Sequence, residues 1–119
     1  MFDFEKLEVY RQAKTFNHNV QKFIVKASLD NTTKHQLRRA ALSIVLNIAE
    51  GSGRNSKADK RNFVVIARGS TFECVAIFDV LKEESIITEE IFLFFYNSAE
   101  ALSKMLYAMI QKLKESAAL

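Results

Sequence analysis

Apolar residues recur along most of this chain at alternating spacings of three and four, the period of one face of an α-helix. The first such run is Val9, Ala13, Phe16, Val20, Phe23 and Ala27, which predicts a helix over about residues 5–27. Asp30, Asn31 and Thr32 follow it, and these residue types favour turns. A second helix is predicted over about 33–50, with Leu37, Ala41, Ile44 and Ile48 as its core face and Thr32 or Thr33 as N-cap. Gly51-Ser52-Gly53 should stop it, because glycine accepts the left-handed conformation that often ends a helix. A third helix is predicted over about 57–84, its core face being Phe63, Ala67, Ser70, Cys74, Ile77 and Leu81. Ser56 followed by Asp59 has the spacing of a capping box. A fourth is predicted over about 89–115, through Phe92, Phe95, Ala99, Leu102, Leu106, Met109 and Leu113. Thr88 suits its N-cap, and Glu89 and Glu90 suit the positive end of its dipole.

Four amphipathic helices with short connections predict an all-α fold, an antiparallel up-down-up-down four-helix bundle. The 119 residues suit one domain over 1–119. The absence of proline and a count of three glycines argue against turn-rich sheet folds. Cys74 stands alone, so no intrachain disulfide forms, and its apolar surroundings suit a small hydrophobe rather than a reactive thiol. No apolar run approaches the roughly 18 residues that span a bilayer, and no basic-then-apolar leader opens the chain. A cytoplasmic, non-membrane protein is the expectation.

The second and third helices carry more apolar surface than a monomeric bundle needs. At about 100° per residue, Leu42, Leu46 and Ala49 fall opposite the core face of the second helix. Val65, Phe72 and Ala76 do the same on the third, with Val64, Ile66, Val75 and Phe78 on its flanks. A helix apolar on all sides should be buried on all sides. Leu42, Leu46, Val65, Phe72 and Ala76 are therefore the expected contact with another copy of the chain.

Polar residues interrupt these apolar helices. Arg39, Ser43, Asn47 and Glu50 share a sector of the second, and Arg68, Gly69, Ser70 and Glu73 lie in the third. Charges between apolar stripes must be paired. Arg68 is expected to reach Glu50, and Glu73 to accept from Arg39 or Asn47. Asn47, Glu50, Arg68, Ser70 and Glu73 then form a structural polar network, with Gly69 marking close helix approach. An acid–base pair of Glu50 and Glu73 is the only catalytic arrangement suggested. No histidine joins it, and no phosphate loop, zinc pattern or nucleophile-with-base spacing appears. Neither catalysis nor a metal nor a cofactor is expected.

Charge matters once located. The chain carries a net +3, but residues 31–72 hold eight basic side chains against Glu50 and Asp59, a local +6. Arg54, Lys57, Lys60 and Arg61 cluster at the second turn, with Arg38 and Arg39 at the far end of the second helix. Glycine- and serine-rich backbone before a helix N-terminus also attracts anions. These six cations are the candidate contacts to nucleic-acid phosphates.

The run Leu37-Arg38-Arg39-Ala40-Ala41-Leu42-Ser43-Ile44-Val45-Leu46-Asn47-Ile48-Ala49-Glu50-Gly51-Ser52-Gly53-Arg54 resembles the signature of the proteins encoded in 23S ribosomal RNA intervening sequences. Arg61-Asn62-Phe63, the stretch Ile66-Ala67-Arg68-Gly69-Ser70-Thr71-Phe72-Glu73 and the opening Phe4-Glu5-Lys6-Leu7-Glu8-Val9-Tyr10 carry the same resemblance. It implies a four-helix bundle assembled as a homopentameric ring. It also implies similarity to the accessory protein of diversity-generating retroelements, a basic barrel that binds nucleic acid and a reverse transcriptase. RNA binding is the role usually proposed for the family. A proline is frequent there where Val45 stands, so this second helix should be straighter. Leucine is usual where Phe72 stands, so that contact is bulkier here. The expectation is thus a non-enzymatic homopentamer that binds RNA, rRNA or a nucleoprotein. The alternative is a protein–protein scaffold without nucleic acid.

Overall fold

The computed structural model describes residues 1–118, and the side chains of residues 1–114. A short 3-10 turn at Asp3–Lys6 precedes four α-helices: α1 Glu8–Lys26, α2 Asn31–Ser52, α3 Lys57–Glu83 and α4 Glu89–Ala118. Among the described residues there is no strand. Among the described residues no helix is long and apolar enough to cross a membrane. Each helix packs on the next in sequence, and α1 closes the bundle against α4.

Cross-helix contacts show the antiparallel order. Gly51 faces Phe63 while Ser43 faces Ser70, so α2 and α3 run oppositely. Arg68 reaches Ser103 while Lys82 reaches Glu89, so α3 and α4 do too. The radius of gyration, 15.0 Å, exceeds the about 13.5 Å of a compact domain this size. With extents of 49 × 26 × 22 Å, the bundle is a rod whose largest surfaces are its long sides.

The expected core drifts as each helix proceeds. Val9, Ala13, Phe16 and Val20 are buried on α1, but Ile24 then replaces Phe23, which is half-buried. On α4, Phe92, Phe95, Ala99, Leu102 and Leu106 are buried before Ile110 replaces Met109. A strict three–four alternation averages 3.5 residues and a straight helix 3.6, so the stripe slips about 20° per heptad. On α3 the buried set is Val64, Ala67, Thr71, Cys74, Phe78 and Leu81, and the expected Phe63, Ser70 and Ile77 are half-buried. α3 packs against α2 on one side and α4 on the other, and its core face lies between them. Phe78 stacks flat on Phe95 with centroids 4.3 Å apart, and Phe23 closes the cluster from α1. Thr71 is the one buried polar residue among those described, and its hydroxyl donates to Ala67 O at 3.0 Å.

The helix ends correct three expectations. Asp30, not Thr32 or Thr33, caps α2: its Oδ1 accepts from Thr33 N at 2.7 Å. That bond holds the Asp30 carboxyl below its usual value, and a charged cap suits the helix dipole. α1 begins at Glu8 rather than near residue 5, because Glu5 Oε2 accepts from Phe2 N and a separate 3-10 turn forms. Gly53 ends α2 with φ −87°, in the right-handed region. The left-handed position falls instead on Ser85, φ 60°, where the α3–α4 connection reverses and Ile86 N donates to Leu81 O. Ser56 and Thr88 cap as expected, accepting from Asp59 N and Ile91 N. α2 runs unbroken through the buried Val45.

Two glycines divide sharply. A Cβ on the buried Gly51 would stand 2.9 Å from Phe63 Cβ and 3.4 Å from Lys60 O, so the hairpin needs glycine there. A Cβ on Gly69 would meet nothing within 4 Å, so Gly69 marks no close approach within one chain. Chemical denaturation of Gly51→Ala should show a loss of about 1–2 kcal/mol, overpacking exceeding the gain in helix propensity. Dissociated Gly69→Ala chains should gain up to about 1 kcal/mol.

Candidate interaction surfaces

The α2–α3 hairpin is stitched by the residues expected to bind phosphate. Arg54 Nη2 donates to Glu50 Oε1 at 2.8 Å, and its guanidinium lies 4.5 Å from the Phe63 ring centroid. Lys60 Nζ donates to Ser52 O at 3.0 Å, satisfying a free carbonyl at the end of α2. Arg54 and Lys60 thus hold the turn, although Arg54 remains exposed. Lys57 is exposed and Arg61 half-buried on the first turns of α3.

The six cations do not form one patch. Arg39 lies thirteen positions before Ser52, the last residue of α2, so roughly 20 Å of helix at 1.5 Å per residue separates it from the Arg54 turn. Arg38 is engaged elsewhere, its Nε donating to Gln21 Oε1 of α1 at 3.2 Å. The hairpin end instead recruits Lys112 from α4. Lys57, Lys60 and Lys112 line a cleft of about 500 Å³ together with Asp3 and the apolar Ile48, Val64 and Met109. Sequence reasoning missed Lys112, because only the antiparallel topology brings the last turns of α4 beside the start of α3.

The polar residues on α2 and α3 form a smaller set of bonds than expected. Ser43 Oγ and Ser70 Oγ are 2.9 Å apart, and Asn47 Nδ2 donates to Ser43 Oγ at 3.0 Å and to Ser43 O at 2.9 Å. Arg68 does not reach Glu50. It turns to α4, where its Nε donates to Ser103 O at 3.3 Å and its guanidinium lies between the Phe72 and Tyr107 rings, at 4.8 and 5.2 Å. The angle of Arg68 on α3 decides this, because its side of the helix faces α4. Glu73 and Arg39 are both exposed and share no ion pair. Glu50 and Glu73 lie on opposite sides of the Ser43–Ser70 level, about 15 Å apart along the axis, so they form no acid–base pair. Among the described residues no three His, Cys, Asp or Glu side chains gather around a common point.

Leu42, Leu46, Val65, Phe72 and Ala76 all lie on the outside of the bundle. Phe72 and Leu46 are each 55% exposed, Val65 49% and Leu42 42%. Ile66 and Val80 extend the exposed apolar face of α3. The expected flank residues Val64 and Phe78 belong to the core instead.

The 23S rRNA-intervening sequence protein family model matches residues 5–108. The chain belongs to that family. It is also similar to a solved structure from Bacteroides thetaiotaomicron VPI-5482, a protein of unknown function from the S23 ribosomal protein family. That similarity has a TM-score of 0.79 and 27% identity, covering 86% of this chain and 97% of the other. No curated protein matches the chain. The family match spans the whole α2–α3 hairpin, including the Gly51 contact and the Ser43–Ser70 pair.

Cys74 is fully buried in the core of this family member. Burial, with a smaller contribution from the Glu73 charge, pushes its thiol from 9.0 up to about 12. A thiol-specific chromogenic reagent at pH 8 should label it only after denaturant is added. Above about pH 9 the unfolded chain releases a proton that the folded chain keeps. The stability this thiol contributes is therefore complete below pH 9 and lost as pH rises toward 12. Cys74→Ala should flatten that part of the stability profile.

Proposed function

We propose that the protein is a non-enzymatic homo-oligomeric module that binds RNA, free or within a nucleoprotein, through the hairpin end of its bundle. The observation that carries the reading is the convergence of Lys57, Lys60 and Lys112 on one cleft, beside Arg54 and Arg61. The N-terminus of α3 opens at the same end, adding its free amides and dipole to the attraction for an anion. The family takes its name from sequences that interrupt 23S rRNA, which makes RNA the anion of choice. The exposed apolar residues of α2 and α3 supply the oligomeric half of the reading. A ring of copies, five by the family resemblance, would repeat each cationic end and add weak contacts by avidity.

A second reading, a protein scaffold that binds no nucleic acid, rests on a separate apolar groove between α1 and α4. Phe94 and Ile91 are exposed there beside Phe23.

Filter binding of total bacterial RNA across a salt series tests the proposal, with particle mass followed by light scattering. Lys57→Glu combined with Arg61→Glu should weaken binding and lower the salt slope by roughly 0.7–0.9 for each phosphate no longer neutralised. Both side chains lie outside the bonds that close the hairpin, so the mass should stay that of the parent. Unchanged affinity and slope in this variant would remove the RNA assignment.

A further inference from the structure

We infer that copies of this chain join through unlike faces, with Arg39 of one copy seated in the groove between α3 and α4 of the next. The inference rests on the oligomeric half of the reading above and assigns its register.

The groove has the chemistry of a site for an organic cation. Phe72, Phe92 and Tyr96 line it, with Asp79 and Glu100 among its polar groups and a volume of about 510 Å³. A guanidinium is attracted to both aromatic faces and carboxylates. Lys82 already exploits one of these rings, its Nζ lying 4.0 Å from the Phe92 centroid. Lys82 also lies 4.0 Å from Asp79 Oδ1, the limit of an ion pair. Among the described residues Glu100 makes no ion pair, and neither does the exposed Arg39.

The two faces lie on different sides of the rod. Arg38 is bonded to Gln21 of α1, whereas Arg39 stands about 100° further round α2, on the outer side with the exposed Leu42 and Leu46. Phe72 and Arg68 face the α4 side, where Arg68 meets Ser103 and Tyr107. A cyclic assembly needs two different surfaces inclined to each other, because each copy meets one neighbour with each.

Their heights also agree. Ser43 is level with Ser70, and Arg68 is level with Ser103. Counting about 1.5 Å per residue along each helix, Arg39 is level with Cys74 on α3 and Asn97 on α4. These positions fall at the middle of the groove, whose residues run from Thr71 to Asp79 and from Phe92 to Ser103. Rotation about an axis along the helices leaves heights unchanged. Arg39 then arrives opposite the groove, and Leu42 and Leu46 arrive within about a turn of Phe72 and Val65. One rotation therefore aligns the cation with the carboxylates and the apolar stripe with the apolar stripe.

A chain carrying Arg39→Cys and Glu100→Cys tests the register with a short bismaleimide cross-linker. α2 and α4 are not backbone neighbours within a chain, and only a link between chains raises the mass. Native Cys74 is buried and stays silent. A ladder of covalent multimers, absent from both single variants, is the expected result. In light scattering, Arg39→Glu should raise the concentration for half-assembly roughly tenfold or more. Glu100→Arg should do the same, and the two together should restore assembly. A parent that is oligomeric, with no ladder and no effect of Arg39→Glu, overturns this register and leaves the oligomer standing. A parent that is monomeric at every concentration overturns the register and the oligomeric reading together.

Discussion

α2 and α3 meet where Gly51, lacking a side chain, lets α2 come against Phe63, and much of the structure depends on that approach. It sets which residues of the hairpin lie opposite each other. From it follows the Ser43–Ser70 pair two turns away. Arg54, against Glu50 and the Phe63 ring, and Lys60, on the Ser52 carbonyl, lock the same turn from outside. A slip of one residue would turn each α2 side chain by about 100°. It would move Leu42 and Leu46 off the surface and bring Ser43 away from Ser70.

Burial separates two kinds of apolar residue that look alike on paper. Phe78 and Phe72 are six residues apart on one helix, yet Phe78 stacks on Phe95 in the core while Phe72 lies outside against Arg68. The core accounts for one stripe per helix. The second stripe, on α2 and α3, has no partner in its own chain. A rod with long sides offers that stripe the largest area for association. Gly69 lies on the same exposed side of α3, with open space where its Cβ would point.

The basic residues likewise divide by role. Arg38 ties α1 to α2, and Arg54 and Lys60 close the hairpin. The donors of each are partly committed within the chain. Lys57, Arg61 and Lys112 are left to shape the potential of the hairpin end, where Lys57 and Lys112 line a largely apolar cleft that also holds Asp3. Charge counted along the chain places positive residues in the middle third. Folding moves the positive centre to one end of a rod and adds to it from the C-terminal helix.

By itself the sequence determined the helices, the capping hydroxyls of Ser56 and Thr88, the family and most of the core. Those features are local: hydrophobic period, cap chemistry and contiguous motif act within a few turns. Leu42, Leu46, Val65, Phe72 and Ala76 were legible as surplus for the same reason, since a helix needs only one buried stripe. The tertiary structure alone decided what crosses between helices. Arg68 turned to Ser103 and Tyr107 rather than Glu50, Lys112 joined Lys57, and Arg38 and Arg39 parted from Arg54. Such pairings depend on the angle and height at which helices pack. Height is set by contacts like that of Gly51 with Phe63, and angle by where the core stripe drifts along each helix. Neither is written at any one position in the chain.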